Sequence, residues 1–184
     1  MYAPINGAER MECFSKLEHF ISNLNNDPVI MGADFNCTTE PEIDRNKGRE
    51  LDMRTARLLK SVIHRLKLCD AWRQHHGNTL NFTWGCGGTL ERLDRIYISK
   101  CLRGKIKNIN TSNGALACSD HSLVSIIITI DGGKHKSPVW CMNYGILGDD
   151  EYEIIAISLP LSVPLVLVTA SFHTFASFMY TPSL

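Results

Sequence analysis

The sequence has no excess of charge of either sign. Its 184 residues contain 19 Lys and Arg against 19 Asp and Glu, so the formal net charge at pH 7 is zero. This balance excludes a strongly basic nucleic-acid-binding module, although a local basic rim around an acidic site remains compatible with it. The length is sufficient for one domain with its own core and a short appendage.

The cysteines lack the spacing of a metal site. There are 7 of them, an odd number, and none forms a C-x-x-C pair. Scattered cysteines of this kind are typical of reduced thiols in a reducing compartment, and the ligand spacing of a zinc site is absent. Residues 1–10 also lack the basic start and apolar core of a secretory signal.

Charge is missing altogether from residues 154–184. The stretch 154–180 is long enough to span a bilayer, which needs about 20 residues, but Pro160 and Pro164 weaken a helix there. We predict one domain at 1–153, followed by a hydrophobic tail that forms an apolar helix or ragged segment outside it. A membrane anchor and an aberrant read-through beyond the domain both remain open for this tail.

Hydrophobic periodicity predicts two amphipathic helices, at residues 9–24 and 51–66. Apolar runs with β-branched residues predict buried strands at 29–31 and 123–130. Three further strands are predicted, the first two joined as a hairpin around a glycine-rich turn: 82–84, 93–98 and 106–109. This mixture of helices and hairpins indicates an α/β or α+β fold.

Three short polar motifs lie on or beside these apolar runs. They are Gly-Ala-Asp-Phe-Asn at 32–36, Arg-Leu-Asp-Arg-Ile at 92–96 and Ser-Asp-His at 119–121. Asp can orient or deprotonate a water, and Asn can bind an anionic oxygen without adding charge. Asp120 can bind Mg²⁺, and His121 can donate to a phosphate oxygen. Such an inventory suits metal-assisted hydrolysis of a phosphodiester.

Each motif alone also has a plainer explanation. The first and third are typical of turns and capped loops. Asp94 lies in an apolar strand, where a charge needs a partner. That partner could be His121, whose tautomer a carboxylate would fix, or a neighbouring arginine, Arg92 or Arg95. Together the motifs favour a site, because they supply different parts of one reaction.

In combination these motifs resemble the endonuclease/exonuclease/phosphatase superfamily, which has the deoxyribonuclease-I-like fold. Within it, the sequence is most similar to the apurinic-type endonuclease domain of LINE-type non-LTR retrotransposons. The resemblance spans about residues 1–153. Further matching segments complete it: Tyr-Ala-Pro at 2–4, Asp-Ala-Trp-Arg at 70–73, Phe-Thr-Trp at 82–84, and Trp140 with Asn143.

The resemblance implies a two-sheet β-sandwich flanked by helices, with DNA as partner and Mg²⁺ as cofactor. It implies that Asp34 orients or activates the attacking water and that Asn36 holds the phosphate. Tyr2 would stabilise charge at the scissile phosphate. Asp94 would pair with His121, which would bind phosphate oxygens. No protein partner is predicted, and the expected location is the nucleus or cytoplasm, with a membrane possible through the tail.

Three further roles also follow from the resemblance. Asp120 would help to hold the metal, while Asn6 and Thr83 would lie near the substrate. The family's first half carries an Asn-bearing strand and the Glu that is its main Mg²⁺ ligand, and neither is found in this sequence. We therefore expect an N-terminally truncated sandwich in which Mg²⁺ binding is weak or lost and activity is impaired.

Three hypotheses about function remain at this point. The first is the C-terminal part of a Mg²⁺-dependent DNA endonuclease domain from a retrotransposon-like element. The second is an inactive binding or membrane-associated fragment of the same fold. The third is a phosphodiesterase of the superfamily that acts on a lipid or nucleotide.

Overall fold

The structure, a computed structural model, describes residues 2–24, 28–47, 53–112 and 119–129, and the backbone of three short strands beyond them. Its α-helices are α1 (Gly7–Ser22), α2 (Pro41–Asp44), α3 (Met53–Arg65) and α4 (Ala71–His76). Its strands are β1 (Val29–Asp34), β2 (Leu68–Asp70), β3 (Trp84–Cys86), β4 (Thr89–Glu91), β5 (Asp94–Ser99), β6 (Ile106–Ser112), β7 (Leu123–Ile128), β8 (Ala156–Ser158), β9 (Leu165–Thr169) and β10 (Ala176–Met179).

The strands form two four-stranded sheets and a separate hairpin. The first sheet has the order β2–β5–β1–β8, the second has the order β10–β9–β7–β6, and β3 pairs with β4. Ile30, Ile96 and Ile98 of the first sheet share one buried cluster with Ile109 and Ile126 of the second. The two sheets therefore pack face to face as a β-sandwich.

Helices α1 and α3 cover the other face of the first sheet. Phe14 and Leu17 of α1 and Leu59 of α3 share a second buried cluster with Met31 and Tyr97 of the sheet. Because side chains alternate along a strand, β1 and β5 serve both clusters at once. The resulting order of helices, first sheet and second sheet confirms the helix-flanked sandwich predicted from the sequence.

The hairpin differs from its prediction. The sequence predicted a pairing of 82–84 with 93–98, but the strands that pair are β3 and β4. Gly87 and Gly88 turn the chain with φ values of 56° and 77°, a conformation that favours glycine. The chain then leaves the hairpin at Arg92, so β5 pairs with β1 and β2 instead.

The hydrophobic tail differs from its prediction more than the hairpin does. We predicted a helix or ragged segment outside the domain at 154–180, but its described segments are strands. β8 pairs with β1, β9 with β7, and β10 with β9. The run Leu-Val-Leu-Val-Thr of β9 is rich in β-branched residues, which favour strands. Pro160 and Pro164 lie between β8 and β9, where they would interrupt a helix.

Within the part of the chain that the structure describes, no helix is both long enough and apolar enough to cross a membrane.

A buried ion cluster ties the helices to the start of β5. The carboxylate of Asp44 is completely buried and accepts hydrogen bonds from Arg92 at 2.7 Å, Arg95 at 3.1 Å and Arg73. Burial alone would raise the pKa of Asp44, but the charges of Arg95 and Arg92 outweigh burial and hold it well below the ordinary value. Asp70 binds Arg92 through its second oxygen at 2.7 Å. The charges are thus buried as partners, and removal of one leaves the others uncompensated.

We predict that Asp44→Asn lowers the free energy of unfolding at pH 7 by about 3–5 kcal/mol, the usual cost of breaking a buried ion pair. Because the native pKa of Asp44 is held well below its unfolded value, its contribution is fully present above the unfolded pKa and is lost only as the pH falls through the depressed native pKa. Urea denaturation from pH 3 to pH 7 should therefore show the difference between the two proteins narrowing toward acid pH. A pH-independent difference would contradict this account.

Candidate active site

The register of β1 against β5 places two carboxylates opposite each other. Asp34, the last residue of β1, is the direct partner of Asp94, the first residue of β5. Each of these two residues is only 5% exposed. Both motifs therefore deliver an acid to the same buried end of the first sheet, although they are about sixty positions apart in the chain.

His121 lies between these two acids. Its Nδ1 is 2.8 Å from Asp94 Oδ2, and its Nε2 is 4.0 Å from Asp34 Oδ2. Because a carboxylate only accepts, Nδ1 carries the proton of this hydrogen bond. The predicted pairing of Asp94 with His121 is thus present, and the alternative arginine partners bind Asp44 instead.

Burial and charge shift the pKa values at this site. Burial, followed by the charge of Asp94, raises the pKa of Asp34 to about 6. Burial opposes protonation of His121, but the hydrogen bond and charge of Asp94 outweigh burial and raise the pKa of the imidazole. A carboxyl group and an imidazole, each with a raised pKa, therefore lie side by side, an arrangement typical of sites for general acid–base chemistry.

The segment that follows β1 and the segment at Tyr2 meet beside Asp34. The Ala3 N–H donates to the Asp34 carbonyl at 2.8 Å, and Tyr2 forms an isolated parallel bridge with Asp34. Asn36 has a φ of 44°, a left-handed conformation that Asn tolerates, and its Nδ2 donates to the Ala3 carbonyl at 2.6 Å. Its backbone N–H donates to Asp34 Oδ1 at 2.8 Å. The predicted residues Tyr2 and Asn36 are therefore adjacent to Asp34.

Asp120 is held by the hairpin. Its Oδ2 accepts the indole N–H of Trp84 at 2.7 Å, and its carbonyl accepts the N–H of Gly85 at 2.9 Å. Trp84 also forms an antiparallel bridge with His121. One backbone group and one side chain of the hairpin therefore align the Ser-Asp-His motif with the strand ends.

A possible metal site among the described residues consists of Asp34, Asp94 and His121, whose ligand atoms lie within 4.8 Å of one another. This donor set does not fit Mg²⁺, which prefers oxygen ligands and an open octahedral shell. Asp94 is engaged by His121, and one oxygen of Asp120 is engaged by Trp84. Asp34 Oδ2 is the buried oxygen of this group that has no hydrogen-bond partner.

Two expected substrate contacts have other roles in the structure. The side chain of Asn6 caps α1, since its Oδ1 accepts from Ala8 N at 2.8 Å and Glu9 N at 3.3 Å. Thr83 is completely buried, and its predicted place near the substrate stays a prediction. Its Oγ1 instead accepts the backbone N–H of Asp94 at 2.9 Å. The matching residues Trp140 and Asn143 lie outside the described part of the chain.

Sequence reasoning missed Asp44. A signal for it was present, because Arg92 directly precedes the apolar run of β5 and Arg95 lies within it, and arginines in an apolar strand need acidic partners. The sequence alone does not show which acid fills this role, since Asp44 lies far away in the chain and inside a polar segment.

Comparison with known proteins agrees with the fold. No protein-family model matches the chain. The sequence is 30% identical over 157 residues to the transposon TX1 uncharacterized 149 kDa protein of Xenopus laevis, covering 83% of this chain. The chain spans only 12% of the length of that relative.

Two solved structures share the fold. The 3′-5′ exonuclease NExo of Neisseria meningitidis matches 61% of this chain with a TM-score of 0.50 and 18% identity, and the chain covers 50% of it. The catalytic domain of Xenopus laevis APE2 matches 64% of this chain with a TM-score of 0.55 and 19% identity, and the chain covers 42% of it.

The two structures show that the chain shares the deoxyribonuclease-I-like fold. Together with the transposon relative, they support the resemblance to the endonuclease/exonuclease/phosphatase superfamily. The likeness to the Xenopus transposon protein agrees with the transposon part of that resemblance.

We predict that Asp94→Asn lowers the pKa of His121, because the variant loses the charge that stabilises the imidazolium. The titration of the His121 ring protons by NMR measures this change. Glu18→Gln, which breaks an exposed ion pair with Arg65 on the helices, should leave the midpoint unchanged. An unchanged midpoint in Asp94→Asn would show that the two side chains do not interact in solution.

We predict that Asp34→Asn stabilises the fold at pH 8. The native pKa of Asp34 is raised from 3.8 to about 6, so the wild-type chain loses stability as the pH rises through this window. Removal of the charge should recover about 1–3 kcal/mol at pH 8 and nothing below pH 4. Thermal unfolding at both pH values tests this, and a destabilised variant at pH 8 would overturn the assignment of Asp34 as a strained, buried acid.

Proposed function

We propose that this chain is the proton-transfer and phosphate-binding part of a nuclease that hydrolyses phosphodiester bonds in DNA. The observation that carries the proposal is the position of His121 between Asp94 and Asp34 at one end of the first sheet. The likeness to a transposon protein and to an exonuclease supports DNA as the substrate. A site of action in the nucleus or cytoplasm follows from that substrate.

Asp34 acts as the base in this scheme. With a pKa of about 6 it is ionised at neutral pH and still basic enough to take a proton from an attacking water. Its Oδ2 has no hydrogen-bond partner among the described residues, so it can receive the hydrogen bond of that water. His121, with Nδ1 held by Asp94, presents Nε2 as a donor to a phosphate oxygen.

Asn36 and Tyr2 bind the phosphate. The Asn36 amide has two N–H donors, of which one is engaged by the Ala3 carbonyl, so the second can donate to an anionic oxygen. Tyr2 is 41% exposed beside Asp34, where its hydroxyl can donate to the same group. These neutral donors stabilise charge as it develops on the phosphate, without repelling it.

Of the components implied by the resemblance, Mg²⁺ fits the residues of this site least well. In this fold it would supply positive charge to the phosphate, with Asp120 as one ligand. One carboxylate holds Mg²⁺ weakly, because the ion keeps most of its waters. We therefore propose that Mg²⁺ binding is weak or lost in this chain and that DNA cleavage by it is poor.

Nicking of supercoiled plasmid tests the proposal. The full chain alone should nick poorly at any Mg²⁺ concentration. A hybrid that joins it to the part of the APE2 catalytic domain that it does not match should nick in a Mg²⁺-dependent way. Asp34→Ala or His121→Ala in the hybrid should reduce the rate by a factor of 10²–10⁴, the usual contribution of general acid–base catalysis.

The matched control in this assay is Glu18→Gln in the same hybrid, which changes an exposed ion pair far in sequence from the site. Its rate should equal that of the unaltered hybrid. Hybrid nicking that survives both active-site substitutions would refute the proposed roles. Strong nicking by the chain alone, lost in Asp120→Ala, would refute the proposed loss of the metal.

A further inference from the structure

Two arginines on either side of Asp94 reach the same carboxylate. Arg92 Nε lies 2.7 Å from Asp44 Oδ1, and Arg95 Nη2 lies 3.1 Å from Asp44 Oδ2. Residues three positions apart point to opposite faces of a regular strand, so this shared partner requires an irregular backbone. The irregularity lies at residues 92–93, between β4 and β5. We call these two residues the joint.

Asp44 is itself held in place by several hydrogen bonds, so it can anchor the joint. Its Oδ2 also accepts the hydroxyl of Thr39 at 3.3 Å and the backbone N–H of Glu40 at 3.2 Å, while Arg73 donates to Oδ1. Its main chain takes part as well, because the Arg92 N–H donates to the Asp44 carbonyl at 2.8 Å. The joint is therefore tied to Asp44 by both side chain and backbone.

Thr83 supports the joint through different bonds. Its Oγ1 accepts the N–H of Leu93 at 3.0 Å and that of Asp94 at 2.9 Å. Two successive amides of an extended strand point in opposite directions, so their convergence on one oxygen shows the bend directly. The Thr83 carbonyl accepts the N–H of Ser122 at 2.6 Å, which links the joint to the residue after His121.

We propose that Asp44 is a positioning residue for the Asp94–His121 pair. By holding Arg92 and Arg95 together, it sets the bend of the joint, and the bend aims the Asp94 carboxylate at His121 Nδ1. Asp44 acts through the arginines and has no contact with the reacting atoms. Only the catalytic consequence of this inference rests on the proposed function, since the geometry of the pair is independent of any reaction.

The tautomer of His121 is the direct readout. In the full chain, labelled with ¹⁵N and studied where the ring is neutral, Asp94 should hold the proton on Nδ1. Asp44→Asn should release the ring, so that the Nδ1–H resonance is lost and the ring nitrogens report a mixture of tautomers. Arg95→Lys should do the same while keeping the charge of the cluster, because lysine lacks the planar fork that reaches Asp44.

A purely structural role would not move this readout. Loss of stability alone would lower the unfolding midpoint and leave the ring of the folded molecules on the Nδ1–H tautomer. Glu18→Gln is the control and should keep that tautomer fully. If Asp44→Asn does not fold, Arg92→Lys and Arg95→Lys decide the question.

Loss of the Nδ1–H resonance in the folded lysine variants, with retention in the control, would support the proposal. Retention of the Nδ1–H tautomer in folded Asp44→Asn, or in both lysine variants, would overturn it. Because no DNA is cleaved in this experiment, its failure is distinct from failure of the proposed nuclease function. If that function also holds, the same variants in the hybrid should lose nicking activity in proportion to the released tautomer.

Discussion

The antiparallel register of β1 with β5 is the constraint on which the rest of the site depends. It makes Asp34 and Asp94 direct partners at one end of the first sheet. A shift of one residue would send the side chains of a strand to the opposite face. The two acids would then separate, and the apolar side chains of the strand would leave their buried clusters. The apolar residues of the two clusters therefore fix the register, and the register fixes the site.

This arrangement is unfavourable for stability. Two carboxylates face each other in a buried place, and the pKa of Asp34 rises because burial and the charge of Asp94 both disfavour its ionised form. His121 relieves part of the repulsion by binding Asp94 at 2.8 Å. On the other face of the same sheet, the paired charges around Asp44 hold β5 in place. Strain at the acids and support from the ion cluster together favour the interpretation of this strand end as a candidate functional site on a stable scaffold.

Much of the site could be predicted from the sequence, because each motif adjoins an apolar run and strand ends gather at sheet edges. The partner of Asp94 could not be decided, since His121 and the flanking arginines satisfy the same rule. Asp44 and the buried role of Thr83 depend on contacts between distant segments, which local patterns do not encode. The tail was misread because an uncharged apolar run fits a helix and a strand equally well until pairing partners are known.

The most direct test of this account is the titration of the Asp34 carboxyl carbon by ¹³C NMR in the full chain and in Asp94→Asn. We expect a midpoint of about 6 in the unaltered chain, because Asp34 is buried opposite a second acid. Removal of the facing charge should move the midpoint downward. A midpoint near 3.8 in the unaltered chain, or one that does not respond to Asp94→Asn, would contradict the register and the site built on it.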